Sequence, residues 1–199
     1  MTTLRKWTLW VAIGVVVLAV LLLGAIRVHR RPGARADIAD GQTPAPLGIS
    51  SSSFASGDAI PRRYTCDDAG LSPEIQLPQP PAGARSFVIV MDDPDALFGF
   101  VHWLVFNIPA DTREITEGAS NRVELPHGAT EGKNSLGNVG YFGPCPPGTK
   151  PHHYVLRLYA LDTELELPPG ATKKQLAAAV KGHVLAEGQM IGHYVRGSE

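Results

Sequence analysis

Three stretches of this chain are apolar at nearly every position, and they set the reading of the rest. Ser86–Asp93 reads SFVIVMDD, Val101–Ile108 reads VHWLVFNI, and His153–Asp162 reads HYVLRLYALD. Short runs that are apolar on both faces are strands from the middle of a sheet, covered on each side. Helical periodicity appears only late. TKKQLAAAVKGHVL, from Thr172 to Leu185, follows the breaker PPG, opens on a threonine N-cap and is rich in helix formers. Strands first and one helix near the end predict a mainly β domain, a β-sandwich or a β-rich α+β fold. It occupies residues 49–199, with no internal repeat and no second shift of composition.

The first 48 residues follow a different pattern. From Trp7 to Ile26 the chain reads WTLWVAIGVVVLAVLLLGAI, without one charged residue. As a helix that run is roughly 30 Å long, the thickness of a bilayer's hydrocarbon core. Arg5 and Lys6 precede it, and Arg27, His29, Arg30 and Arg31 follow. Length and flanks favour an uncleaved single-pass membrane anchor over residues 1–31, its transmembrane helix at about 7–26; the alternative is a signal peptide cleaved at ARA (Ala34–Ala36), which the basic stretch before it disfavours. No cysteine follows the run, so a lipid-modified anchor is not expected. Pro32–Gly48, PGARADIADGQTPAPLG, has nothing apolar enough to bury and reads as a flexible linker.

Charge and composition narrow the function classes. The 199 residues carry a formal net charge of −1. Phosphate-backbone binding needs a clustered excess of Lys and Arg, so nucleic acid is not the expected partner. Gly 21 and Pro 17 are scattered between apolar runs, which suits a loop-rich β domain rather than a disordered chain. Cys66 and Cys145 can pair outside the cytoplasm or remain thiols inside it. If joined, they close a long loop worth roughly 2–4 kcal/mol. Orientation is divided in the same way: the heavier basic flank after the apolar run favours a cytoplasmic domain.

Candidate chemistry gathers at strand ends. Side chains alternate along a strand. His152, Tyr154, Leu156, Leu158 and Ala160 therefore share a face, as do Asp93, Met91, Ile89 and Phe87. His102 is expected to line up with Leu104, Phe106 and Ile108. Each apolar row ends in a polar group, and if the ends adjoin, Asp93, His102, His152 and Tyr154 surround one small cavity. Plainer readings exist: a hydrogen-bonded core histidine, a buried tyrosine, and aspartates serving the turn DDPDA. Beside them runs GNVGYFGPCPP, where Gly137, Gly140 and Gly143 expose backbone N–H groups that can cradle an anion and three prolines stiffen the frame.

DDPDA, VHWLVFNIP and GYFGPCPPG leading into HHYVLRLYALD resemble the phosphatidylethanolamine-binding protein family, in its bacterial Raf kinase inhibitor-like (YbhB/YbcL-type) branch. PRRYTCDDAGLSPEI and HVLAEGQMIGHYVR are similar to that branch as well, so the resemblance spans about Ile49–Arg196. It implies a β-sandwich of antiparallel sheets with a short C-terminal helical part. It also implies a small anion pocket using Asp93, Asp95, His102, Gly143, His152 and Tyr154, and it favours an extracytoplasmic domain. LFGF (Leu97–Phe100) stands where animal relatives have a longer, different segment, so rim and specificity should differ here, and kinase inhibition does not carry over.

Two classes of function follow. The first is a binding module, membrane-tethered and regulatory or inhibitor-like, for a phosphorylated small molecule, a lipid headgroup or a phosphoprotein. Imidazoles, a tyrosine hydroxyl and backbone N–H groups are suitable donors for such an anion, with Asp93 orienting an imidazole. The second is a hydrolase using Cys145, His152 and Asp93, or a metal-assisted site in the same pocket. No HxH or HExxH spacing accompanies Asp93, Asp95, His102 and His152, and no metal or other cofactor is expected. His127, His183 and His193 read as surface or structural residues.

Overall fold

The computed structural model describes residues 44–120, 125–126 and 128–197. The expected membrane helix at 7–26 and most of the expected linker lie outside them. Among the described residues, no helix is long and apolar enough to cross a membrane. The strands are β1 (Ala45–Pro46), β2 (Ile75–Gln76), β3 (Ser86–Asp93), β4 (Phe100–Pro109), β5 (Glu114–Ile115), β6 (Thr130–Glu131), β7 (His152–Leu161) and β8 (Val184–Tyr194), and the helix α1 is Lys173–Val180.

Six strands form one sheet in the order β1-β8-β7-β3-β4-β6, and β2 pairs with β5 in a separate ribbon. The three apolar runs are its central strands, and all eight residues of β3 are buried. One face carries Phe87, Ile89, Met91, Trp103, Leu156 and Leu158 and packs with Ile75 and Ile115 of the ribbon. The other face carries Val88, Val90, Leu104 and Phe106 and packs with Leu176 and Val180 of α1. The fold is therefore mainly β with little helix. The expected pair of antiparallel sheets is instead one large mixed sheet, because β1 runs parallel to β8, with only a two-stranded ribbon over one face.

Two elements depart from the pattern-based reading. Ala45 and Pro46, in the stretch read as linker, pair with Ala186 and Glu187, and the Leu47 N–H donates to the Glu187 carbonyl at 2.7 Å. Pro46 fits because an edge strand can spare a donor. A Cβ on Gly188 would lie 1.8 Å from the Leu47 carbonyl oxygen, so only glycine admits this contact. The helix expected over 172–185 is shorter. Thr172 does cap it, accepting from the Gln175 N–H while the Gln175 side chain accepts from the Thr172 N–H. It stops at Val180; Gly182 turns the chain at φ +81° and β8 begins two residues later.

Candidate functional site

The antiparallel register brings the candidate strand ends together. Asp93 closes β3 opposite Phe100, which opens β4, while His152 opens β7 opposite Tyr194 at the end of β8. The rows expected for β3 and β7 lie on the ribbon-side face as read. The row expected for β4 does not hold: Leu104 and Phe106 face α1, the opposite side. Trp103 pairs with Met91 but Val101 pairs with Asp92, so His102 is the extra residue of a β-bulge. A bulge turns two consecutive side chains toward the same side. His102 and Trp103 accordingly both contact ribbon-side aromatics, Tyr154 and Tyr141. A second shift near Asn107, at φ +56°, returns Ile108 to that face.

Local turn chemistry fixes Asp93. Its Oδ1 accepts the backbone N–H groups of Asp95 (2.9 Å) and Ala96 (3.0 Å), the turn that DDPDA encodes. Its Oδ2 accepts from Nδ1 of His152 at 2.7 Å, so three donors engage a carboxylate that is 3% exposed. His102 is held differently. Its Nδ1 lies 2.6 Å from the Phe142 carbonyl, and the Phe142 N–H donates to the His102 carbonyl at 2.9 Å. A carbonyl oxygen only accepts, so Nδ1 of His102 carries the hydrogen and Nε2 is the polar edge left over.

The loop bearing Phe142 is fastened to the segment Tyr64–Cys66. A disulfide joins Cys66 to Cys145 with their Cα atoms 5.4 Å apart. The Cys66 N–H donates to the Pro144 carbonyl (3.1 Å), and the Tyr141 hydroxyl donates to the Tyr64 carbonyl (2.7 Å). A Cβ on Gly143 would lie 2.8 Å from the Tyr64 carbonyl oxygen and 2.9 Å from Thr65 backbone atoms. The missing side chain thus serves close packing of two chain segments. With both sulfurs bonded there is no thiolate, and the Cys145–His152–Asp93 triad considered from sequence has no nucleophile.

Asp93, His102 and His152 line a cavity of about 120 Å³, walled by Phe100 and Phe142 and closed by Ala96 and Cys145–Pro147. Tyr154 sits behind it, its ring edge-on to His102 at 5.1 Å. The Tyr154 hydroxyl is buried without a hydrogen bond, although the Cys145 backbone amide lies near enough to favour its ionised form. Asp95 turns outward and accepts from the backbone N–H and Nδ1 of His153. Gly143 does not line the cavity, and sequence reasoning missed Phe100 and Phe142, whose aromatic neighbours in the motifs were the available signal. Leu97 and Phe98, in the turn beyond Ala96, are 83% and 98% exposed. A larger cavity of about 220 Å³, lined by Pro46, Leu47, Arg157, Glu187, Gly188 and Gln189, contains none of the candidate residues. Among the described residues no group of three or more His, Cys, Asp or Glu side chains is placed to hold a metal ion.

Burial lowers the pKa of His102, against the opposing pull of the Phe142 carbonyl, Asp93 and Asp92. The ring is neutral near pH 7. Burial opposes ionisation of Asp95, but the hydrogen bonds from His153 outweigh it and hold the carboxyl below its usual range. Burial, then Asp93 and Asp95, push the Tyr154 hydroxyl well above its ordinary value, so it stays a donor.

The sequence profile of the phosphatidylethanolamine-binding protein family matches residues 50–195. The chain belongs to that family. A UPF0098 protein of Methanothermobacter thermautotrophicus is 43% identical over 152 residues, covering 76% of this chain and 100% of that protein. LppC of Mycobacterium tuberculosis, which carries a lipoprotein name, is 40% identical over 166 residues, 80% of each chain. Two crystal structures share the fold. A homologue from Chlamydia trachomatis superposes with a TM-score of 0.70 at 33% identity, over 76% of this chain and 98% of its own. Escherichia coli YbcL gives 0.71 at 29% identity, over 76% and 99%. Family membership supports a binding-protein function.

Proposed function

We propose that the domain binds a small anion, the phosphate of a phosphorylated headgroup, small molecule or phosphoprotein, as a regulatory or inhibitor-like module. The observation that carries this is the Asp93–His152 pair beside the cavity. Asp93 accepts from the two turn N–H groups and from Nδ1 of His152, and so orients that imidazole at the cavity wall. His152 lines the cavity with its Nδ1 held by Asp93. Gly143, Asp95 and Tyr154 act one step back: the first seats the loop, the second ties His153 to the turn, and the third backs His102. At about 120 Å³ the cavity is below the roughly 300–1,000 Å³ of sites that enclose drug-sized ligands, which suits a headgroup and not a whole lipid. Membrane tethering through the apolar run at 7–26, with an extracytoplasmic domain, belongs to this proposal. A relative with a lipoprotein name supports association with a membrane, and the Cys66–Cys145 bond supports an oxidising compartment.

The test is an NMR titration of the domain with inorganic phosphate and phosphoethanolamine, alongside His152→Ala. Saturable shifts at His102, His152 and Tyr154 that vanish in the variant are expected. Silence at those residues up to millimolar ligand would sink the reading.

A further inference from the structure

We propose that His102 makes this cavity selective for an oxyanion that still carries a proton, hydrogen phosphate or a singly ionised phosphomonoester, over one that carries none, such as sulfate. The inference rests on the anion-binding reading and assigns the second imidazole a task of its own. The Phe142 carbonyl holds the Nδ1 hydrogen at 2.6 Å, and a ring flip would turn a C–H toward that oxygen. The ring is also wedged between Phe100 (4.6 Å), Tyr154 (5.1 Å) and Phe142 (5.9 Å, stacked). With Nδ1 committed, a neutral His102 offers only the Nε2 lone pair to the cavity it lines.

The groups facing His102 do not supply a free charge to protonate it. From β3 come Asp92, paired with Arg157 (2.8 Å) and Lys173 (3.1 Å), and Asp93, which accepts from three donors. From β7 come His152, already on Asp93, and Tyr154, a neutral donor. Asp95, in the turn after β3, accepts from His153. The 142–147 segment contributes no titratable group, since Cys145 is in the disulfide. Burial lowers the pKa of the ring as well. An oxyanion seated against His152 therefore meets an acceptor at His102. A P–OH satisfies it, whereas a bare sulfate oxygen sets acceptor against acceptor.

The test uses residues 44–199, a unit that the Methanothermobacter relative, wholly covered by the match, represents as a complete protein. Calorimetric titrations with inorganic phosphate, sulfate and phosphoethanolamine would run from pH 5.5 to 8. Above about pH 6.5, phosphate should bind on the order of tenfold or more tighter than sulfate, the cost of an unmet buried acceptor. Phosphoethanolamine should match phosphate below its second ionisation near pH 6 and then fall behind by about tenfold per pH unit. In His102→Gln, whose amide can turn an N–H inward, the phosphate–sulfate gap should close to about twofold. Equal binding of sulfate and phosphate by the wild type, or an unchanged gap in the variant, overturns the proposal and leaves anion binding standing. Binding of none of the three overturns both. Should the variant fail to fold, the wild-type ratio of phosphoethanolamine to phosphate across pH decides alone, and a flat ratio overturns the proposal.

Discussion

Replacing Cys66 and Cys145 together by serine should cost this domain about 4–5 kcal/mol, nearly all of it through the unfolded chain. The bonded residues are 79 positions apart. The chain-entropy relation gives about 15 cal/mol/K for a loop of that length, or about 4.5 kcal/mol at 25 °C. The folded state should lose little, because the same two segments remain joined by Cys66–Pro144 and Tyr141–Tyr64 hydrogen bonds and by the Gly143 contact. Urea unfolding of residues 44–199 is the assay. The midpoint should fall by about 1 M or more, and m should rise because an uncrosslinked unfolded chain exposes more surface. Wild type in reductant should superimpose on the variant, which should itself ignore reductant. A loss below about 1 kcal/mol with unchanged m would refute the entropic reasoning, and alkylation of both cysteines without reductant would show that no bond exists.

Asp93→Asn keeps an oxygen for the turn but sets an NH2 against the Nδ1 hydrogen of His152. It should cost about 1–3 kcal/mol and abolish phosphate shifts at His152, and unaltered binding by NMR would contradict the orienting role. Gly143→Ala should destabilise by about 1–3 kcal/mol through overpacking against backbone that cannot yield, since the φ of Gly143 is not in the left-handed region; a midpoint shift near zero in urea would refute it. His102 has a lowered pKa in the folded state, so its contribution to stability is complete above the unfolded value near 6.5 and declines as pH falls below it. His102→Gln should flatten that decline between about pH 6.5 and 5 in urea titrations, and an identical slope would show that another group is responsible.

How far the sequence discloses this fold differs from strand to strand. β3 is apolar from Phe87 to Met91 and β7 from Tyr154 to Leu161 apart from Arg157, so both their existence and their facing rows are readable. β8 escapes such reading because Gly188 and Gly192 interrupt its alternation at the two places where neighbouring chain comes closest. β1 escapes because its pairing is made by backbone, with a proline in it. The candidate site has the same limits. Asp93 and His152 follow from parity, whereas parity sends His102 to the α1 face, and only a register shift visible in three dimensions corrects it. The Phe142 carbonyl that orients His102 is a main-chain group supplied by tertiary packing, and no residue type in the motif announces it. Gly143 looks like a ligand cradle in one dimension because a close approach by chain and a close approach by ligand demand the same residue.

The bulge at His102 makes strand length decide which face of the sheet the imidazole takes. Removing one residue between Phe100 and Trp103 would heal the ladder and give a more regular sheet. The same deletion would rotate the imidazole off the pocket wall and toward the α1 side. An engineer who idealised this strand would regularise the ladder and lose the histidine from the cavity. For anyone comparing sequences of such domains, a single-residue gap here should weigh more heavily than a substitution at the histidine itself.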